Sequence, residues 1–157
     1  MNRLIVILVI FITTTTFAQQ ITSKQAWLEK WENSKNYLIG IAEAMPEGAY
    51  DFKPTERQMS FKEQLIHIKG NMDWLSNSYF TESGYERTKI ELPATKAETI
   101  TLLTQAFDSS LALIENTSDK SLADTVDFFA GPKSKLQILN LLQDHVTHLR
   151  GQLIVYL

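Results

Sequence analysis

Three histidines and no cysteine bound the chemistry open to this 157-residue chain. Without thiols, disulfides, cysteine nucleophiles and Cys-based zinc sites are excluded, so a metal ion would have to be held by imidazole, carboxylate or water. His145 and His148 stand three residues apart near the C-terminus. On a helix that spacing is about 60° of rotation and ~4.5 Å of rise, within reach of a common ion. His67, far upstream, is the third imidazole. Three imidazoles with one open position suit Zn²⁺, Ni²⁺ or another borderline divalent ion, and such a site activates bound water or a bound thiol. The plainer reading is also open: histidines at i, i+3 are common on helices, and a buried imidazole can simply hydrogen-bond a neighbour.

Other chemistry has less support. Asp51, Glu56 and Glu63 lack a spacing that would pair them for acid/base work, and neither a Gly-rich phosphate loop nor a serine-nucleophile motif occurs. Asp144 adjoins His145, but consecutive helical residues do not face each other, so it reads as solvated. Trp27, Trp31 and Trp74 read as core rather than as a ligand cage, given the area an aromatic ring buries in a small bundle.

The elements that must position the histidines follow from apolar periodicity. "SKQAWLEKWENSKNYLIGIAEAM" places Trp27, Trp31, Leu38, Ile41 and Met45 on one face of a helix, with Ser23 as its N-cap. "MPEGAYDFKP" is a loop. A second helix, Ser60 to Thr81, opens on a capping box of Ser60 and Glu63 and carries the stripe Phe61, Leu65, Ile68, Met72, Leu75 and Tyr79. His67 lies beside that stripe, on a line with Ser60, Gln64, Asn71 and Trp74. Gly70, one turn on, has poor helix propensity, which a close approach by a neighbour or ligand would explain. "ESGYERTKIELPAT" is a loop. Thr95 and Glu98 repeat the cap pattern before a third helix with Ile100, Leu103, Phe107, Leu111 and Ile114. "TVDFFAGPKSK" is extended and then turned, and Ser134 caps a fourth helix running to the end, whose inward ladder is Ile138, Leu141, Leu142, His145, Leu149, Leu153 and Tyr156.

Four helices of roughly 20 residues joined by loops of about 10 to 15 predict an all-α, antiparallel four-helix bundle over residues 19–157, with its connectivity left open. Metal sites in such bundles form between helices, where two residues of one can meet one of another.

Residues 1–18 read as a signal peptide: Arg3 supplies a positive start, Leu4 to Ile12 are nine consecutive apolar residues, and cleavage after Ala18 follows small residues. The run is shorter than the ~20 residues that span a bilayer, so export to the periplasm or medium is expected, with no membrane association after cleavage. Losing Arg3 leaves 14 basic and 18 acidic side chains. That balance, without a basic stripe, argues against nucleic acid as a partner.

"MPEGAYDFKPTERQMSFKEQLIHIKGNMDWL" followed by "DHVTHLRGQLIVYL" resembles the DinB family, bundle proteins of the DinB/YfiT type, over most of the chain. The resemblance implies a four-helix bundle, commonly a homodimer, with a divalent metal held by three histidines, one on the second helix and two on the last. It also implies metal-dependent hydrolysis or thiol transfer on a small-molecule substrate that the motif does not identify. His67 and His145 match two of the ligands. The family's terminal motif typically reads H-x-x-H-H-R-G-Q, with the third ligand four residues after the first; that position is Leu149 here, and His148 matches the other histidine of the doublet. Three outcomes are therefore compatible with the sequence: His148 substitutes as the third ligand, two histidines and water bind metal weakly, or the site is degenerate. For Gly151 the expected role is close helix packing, and for Arg150 and Gln152 polar contacts at the helix edge or a dimer interface.

Overall fold

A computed structural model describes residues 21–82 and 84–157. The expected export segment, 1–18, lies outside the described residues. Four helices dominate: α1 (Ser23–Ala44), α2 (Phe61–Phe80), α3 (Lys96–Glu115) and α4 (Lys135–Ile154). No described helix is long and apolar enough to cross a membrane.

Each helix begins on a complete capping box, in which the cap side chain accepts from the third backbone N–H and that residue's side chain accepts from the cap N–H. Ser60, Thr95 and Ser134 cap as expected. For α1 the cap is Thr22, one residue before the expected Ser23. The reason lies in Gln25: it stands three residues after Thr22 and can close the box, whereas three residues after Ser23 comes Ala26, which cannot.

Side-chain contacts give the directions of the helices. Lys24 at the start of α1 donates to the carbonyls of Glu115 and Thr117 at the end of α3, and Lys96 at the start of α3 donates to those of Glu43 and Met45 at the end of α1. These two helices are antiparallel. Between α2 and α4, His67 faces His145, Gln64 meets Gln152, and Met59 meets Tyr156, again antiparallel. Trp27 and Ser34 of α1 bond Leu139 and Gln143 of α4 in the same sequential order, so those two run parallel. The bundle is thus up-down-down-up, and residues 84–95 climb back along α2 to connect two parallel helices.

The core contains Trp31, Leu38, Phe61, Leu65, Ile68, Met72, Leu103, Phe107, Ile114, Ile138, Leu139 and Leu142, all essentially without solvent exposure. On α4 the inward face is rotated from the expected ladder: Leu139 and Val146 are buried, Leu141 is 39% exposed, and His145 is half-buried at the edge. Trp27 and Trp31 are core as expected, their rings stacked 4.7 Å apart. Trp74 is only partly buried and packs against Phe128 and Phe129 of the turn between α3 and α4. That turn is a hairpin of two short antiparallel strands, β1 (Thr125–Val126) and β2 (Lys133–Ser134), which realises the expected extended-then-turned segment. Gly131 turns it at φ 92°, a conformation side chains other than glycine rarely take.

Candidate functional site

The seam between α2 and α4 gathers the histidines. His67 and His145 project toward one another with ring centroids 5.1 Å apart and planes tilted by 58°. Both are half-buried. Burial holds the His67 pKa below the ordinary imidazole value, and the nearby Arg87 guanidinium lowers it further. His145 is pushed down to about 4, first by burial and then by His67 and His148, with Asp144 opposing weakly. At neutral pH both rings are therefore neutral, the form in which a ring nitrogen can ligate an ion. The His145 Nε2 is buried and has no hydrogen-bond partner. Buried polar atoms almost always find one, so this nitrogen is a candidate position for a water or a metal ion. Asn71 Oδ1, one turn beyond His67 on the same line of α2, is likewise buried and unpartnered.

His148 is placed differently. It is exposed, and its Nε2 lies 2.9 Å from Gln152 Nε2. Gln152 Oε1 in turn accepts from Gln64 Nε2 at 2.8 Å. Leu149, at the position where the resemblance leads one to expect a third ligand, is 7% exposed and packs in the core. Consequently, among the described residues no three His, Asp or Glu side chains converge as a metal-holding group. The donors fit a borderline divalent ion at two positions, His67 and His145, while the third imidazole is engaged elsewhere.

Three recesses open onto this seam. One, of about 470 Å³, is lined by Lys53, Arg57, Met59, Glu63, His67 and Leu92. Within it Glu63 is held as carboxylate by the Ser60 N–H, which it accepts at 2.6 Å, and by Lys53 at 3.0 Å, and these bonds lower its pKa. A second recess runs from Ile66, His67 and Gly70 to Tyr85, Arg87 and Ile90. The third joins Gln58, Met59, Gln64, Gln152 and Tyr156. A larger hollow of about 510 Å³ between α1 and α4, lined by Lys30, Lys133, Asn140, Asp144 and Thr147, contains no histidine and lies on another face of α4.

Gly70 has the explanation its propensity demanded. A Cβ there would sit 3.1 Å from Ile90 Cδ1, so glycine lets the returning segment lie close along α2 and brings Tyr85 and Arg87 beside His67. Sequence reasoning missed these two residues because they fall in a loop without periodicity; Gly70 was the one signal of the approach. The edge contacts expected of Gln152 are made, to Gln64 and His148, but Gln64, named on the His67 line, had been given no role.

Comparison with known proteins bears on the same architecture. The DinB family model matches residues 16–157. A crystal structure of a DinB-like protein, YjoA of Bacillus subtilis, superposes with a TM-score of 0.70 at 22% identity, covering 83% of this chain and 88% of that one. A conserved protein of Enterococcus faecalis superposes with a TM-score of 0.61 at 14% identity, covering 87% of this chain and 96% of that one. These two likenesses concern the fold alone. No curated protein matches the chain. With that family model spanning all four helices, the chain belongs to the DinB family.

Proposed function

We propose that this protein binds one divalent ion, Zn²⁺ or Ni²⁺, through His67 and His145, with His148 as third ligand once it leaves Gln152, and that it acts as a metal-dependent hydrolase or transferase on a small molecule. The observation that carries this reading is the buried, partnerless His145 Nε2 facing His67 across the α2/α4 seam. A bound ion of this class supplies Lewis acidity and lowers the pKa of coordinated water or thiol. The chain's own residues do the rest. Burial keeps His67 and His145 neutral, the α2/α4 packing fixes their separation, and the recess lined by Lys53, Arg57, Met59 and Leu92 receives the substrate beside His67.

Export places the protein where low-molecular-weight thiols are scarce, which favours hydrolysis over thiol transfer. A screen of thiol cosubstrates against metal-loaded protein tests that ranking, and clear conjugation would reverse it. Metal analysis tests the reading itself. After incubation with Zn²⁺ or Ni²⁺ the purified protein should retain about one ion per chain, and His67→Ala or His145→Ala should lose it; retention below about 0.2 equivalents, unchanged by His67→Ala, would sink it.

A second reading is favoured by Leu149. Its place in the core, where the family pattern puts a ligand, suits a bundle that has lost its site and binds a small ligand or protein partner without catalysis. Leu149→His separates the two: metal binding created by that change alone, in a protein that otherwise binds none, identifies a relic.

A further inference from the structure

The engagement of His148 is specific, and its geometry has chemical content. An amide nitrogen carries hydrogens and no available lone pair, so in the 2.9 Å contact Gln152 Nε2 donates and His148 Nε2 accepts. The proton of the neutral ring must then sit on Nδ1, the less common tautomer of an imidazole free in water. Gln152 Oε1 accepts from Gln64 Nε2 at 2.8 Å, so a turn of the Gln152 amide alone would set two NH₂ groups against each other. Only a joint turn of both amides would keep the chain bonded, and it would require the Nε2–H ring. Gln64 is 6% exposed, fixed in α2 three residues before His67. The chain Gln64 to Gln152 to His148 therefore runs across the α2/α4 seam about one turn from the His67–His145 pair.

We infer that Gln152, anchored by Gln64, is a positioning residue for His148: it sets the Nδ1–H tautomer and occupies the Nε2 lone pair, so that a metal ion recruits His148 only by displacing the amide. The consequence for metal binding rests on the function proposed above, whereas the tautomer does not. The arrangement makes His148 a conditional third ligand. Its Nε2 is already deprotonated, as ligation requires, yet it is withheld by a neutral hydrogen bond of the strength an incoming ion can replace. The same contact explains why an i, i+3 histidine pair on one helix does not already converge.

Long-range ¹H–¹⁵N correlation of the metal-free protein above the histidine titration range reads the tautomer directly. We expect the Nδ1–H form for His148, reverting to Nε2–H in Gln152→Leu and, in part, in Gln64→Leu. Gln152→Glu, which keeps an acceptor for Gln64 but offers His148 no donor, should give the Nε2–H form as well. Zn²⁺ titration of the same proteins should show affinity in Gln152→Leu raised about five- to tenfold over wild type, the worth of one neutral hydrogen bond. An Nε2–H tautomer in the wild type overturns the inference, as does a Gln152→Leu protein that is folded but retains Nδ1–H. Zn²⁺ affinity that is unchanged or lower in Gln152→Leu overturns the withholding of His148. Absence of Zn²⁺ binding in all of them, with the tautomers as expected, removes the metal reading and leaves the tautomer-setting relay standing.

Discussion

The two antiparallel seams of this bundle treat their polar atoms in opposite ways. In the α1/α3 seam, aromatic bulk and hydrogen bonding are both complete. Trp31 stacks on Trp27 and tilts against Phe107 at 4.9 Å, its indole N–H donates to the Phe107 carbonyl at 3.1 Å, and Lys35 pairs with Asp108 at the rim. The α2/α4 seam is also packed, but it buries His145 Nε2 without a partner and leaves Asn71 Oδ1 in the same condition. A seam built for stability alone would fill such a position with an apolar side chain. Unsatisfied polar groups cost about 1–3 kcal/mol each, so the two seams differ in what their burial costs; a third such atom, Gln143 Oε1, lies where α4 meets α1.

The largest effect that sharpens this contrast belongs to the tryptophan seam. Trp31→Ala removes a ring that is 1% exposed together with its hydrogen bond, and it should destabilise the protein by about 3–5 kcal/mol in urea unfolding. The matching change on the other seam should go the opposite way. His145→Leu replaces a partnerless imidazole by an apolar group and should stabilise the metal-free protein by about 1 kcal/mol while abolishing metal retention. A His145→Leu protein that is destabilised as strongly as Trp31→Ala would erase the distinction between the seams.

That distinction was partly legible in the sequence. The capping boxes at Ser60 and Thr95, the cap at Ser134 and the apolar stripes of α1 to α3 follow from local chemistry and fixed the number and extent of the helices. The pairing of His67 with His145 was legible as well, since His67 falls on a line beside the α2 stripe and His145 within the inward ladder expected of α4. The helix directions were not, because the climb of residues 84–95 along α2 depends on tertiary packing, with Gly70 as its one local trace. Nor was the rotation of α4, where Leu139 and Val146 point inward and Leu141 outward. A stripe of Leu and Ile on both sides of a helix leaves the inward face to be chosen by its neighbours. The Gln64–Gln152–His148 chain was out of reach for a related reason: it joins residues 88 apart, and glutamine is equally at home in solvent.

A smaller effect comes from protons. A base whose folded-state pKa lies below its unfolded value binds fewer protons when folded, so stability rises with pH between the two values. For His145 that window runs from about 4 to the ordinary 6.5, and His67, shifted in the same direction, adds to it. The metal-free protein should therefore lose stability as pH falls from 6.5 toward 4. Carboxylates titrate in the same range, so the informative quantity is the difference between wild type and His145→Leu. Urea midpoints of the two should diverge as pH falls through this window, and parallel midpoints would show that His145 is not held neutral by the seam.

The smallest expected effect tests how the returning segment seats itself beside His67. Gly70→Ala gains up to ~1 kcal/mol of helix propensity, but the added methyl meets Ile90 Cδ1 at 3.1 Å, closer than ordinary contact. Because that atom is the tip of a flexible side chain, it can move by a few tenths of an ångström, and the two effects should nearly cancel, leaving a net change within about 0.5 kcal/mol. Ile90→Val deletes the clashing carbon. In that background Gly70→Ala should stabilise by nearly the full propensity gain, and the double-mutant cycle should return a coupling of about 0.5–1 kcal/mol between the two positions. Zero coupling would mean that Ile90 does not pack on Gly70, and the account of how Tyr85 and Arg87 reach His67 would lose its support. Coupling with unchanged metal retention would show that the segment only lies along α2, whereas coupling accompanied by weaker retention would tie the return path to the histidine seam.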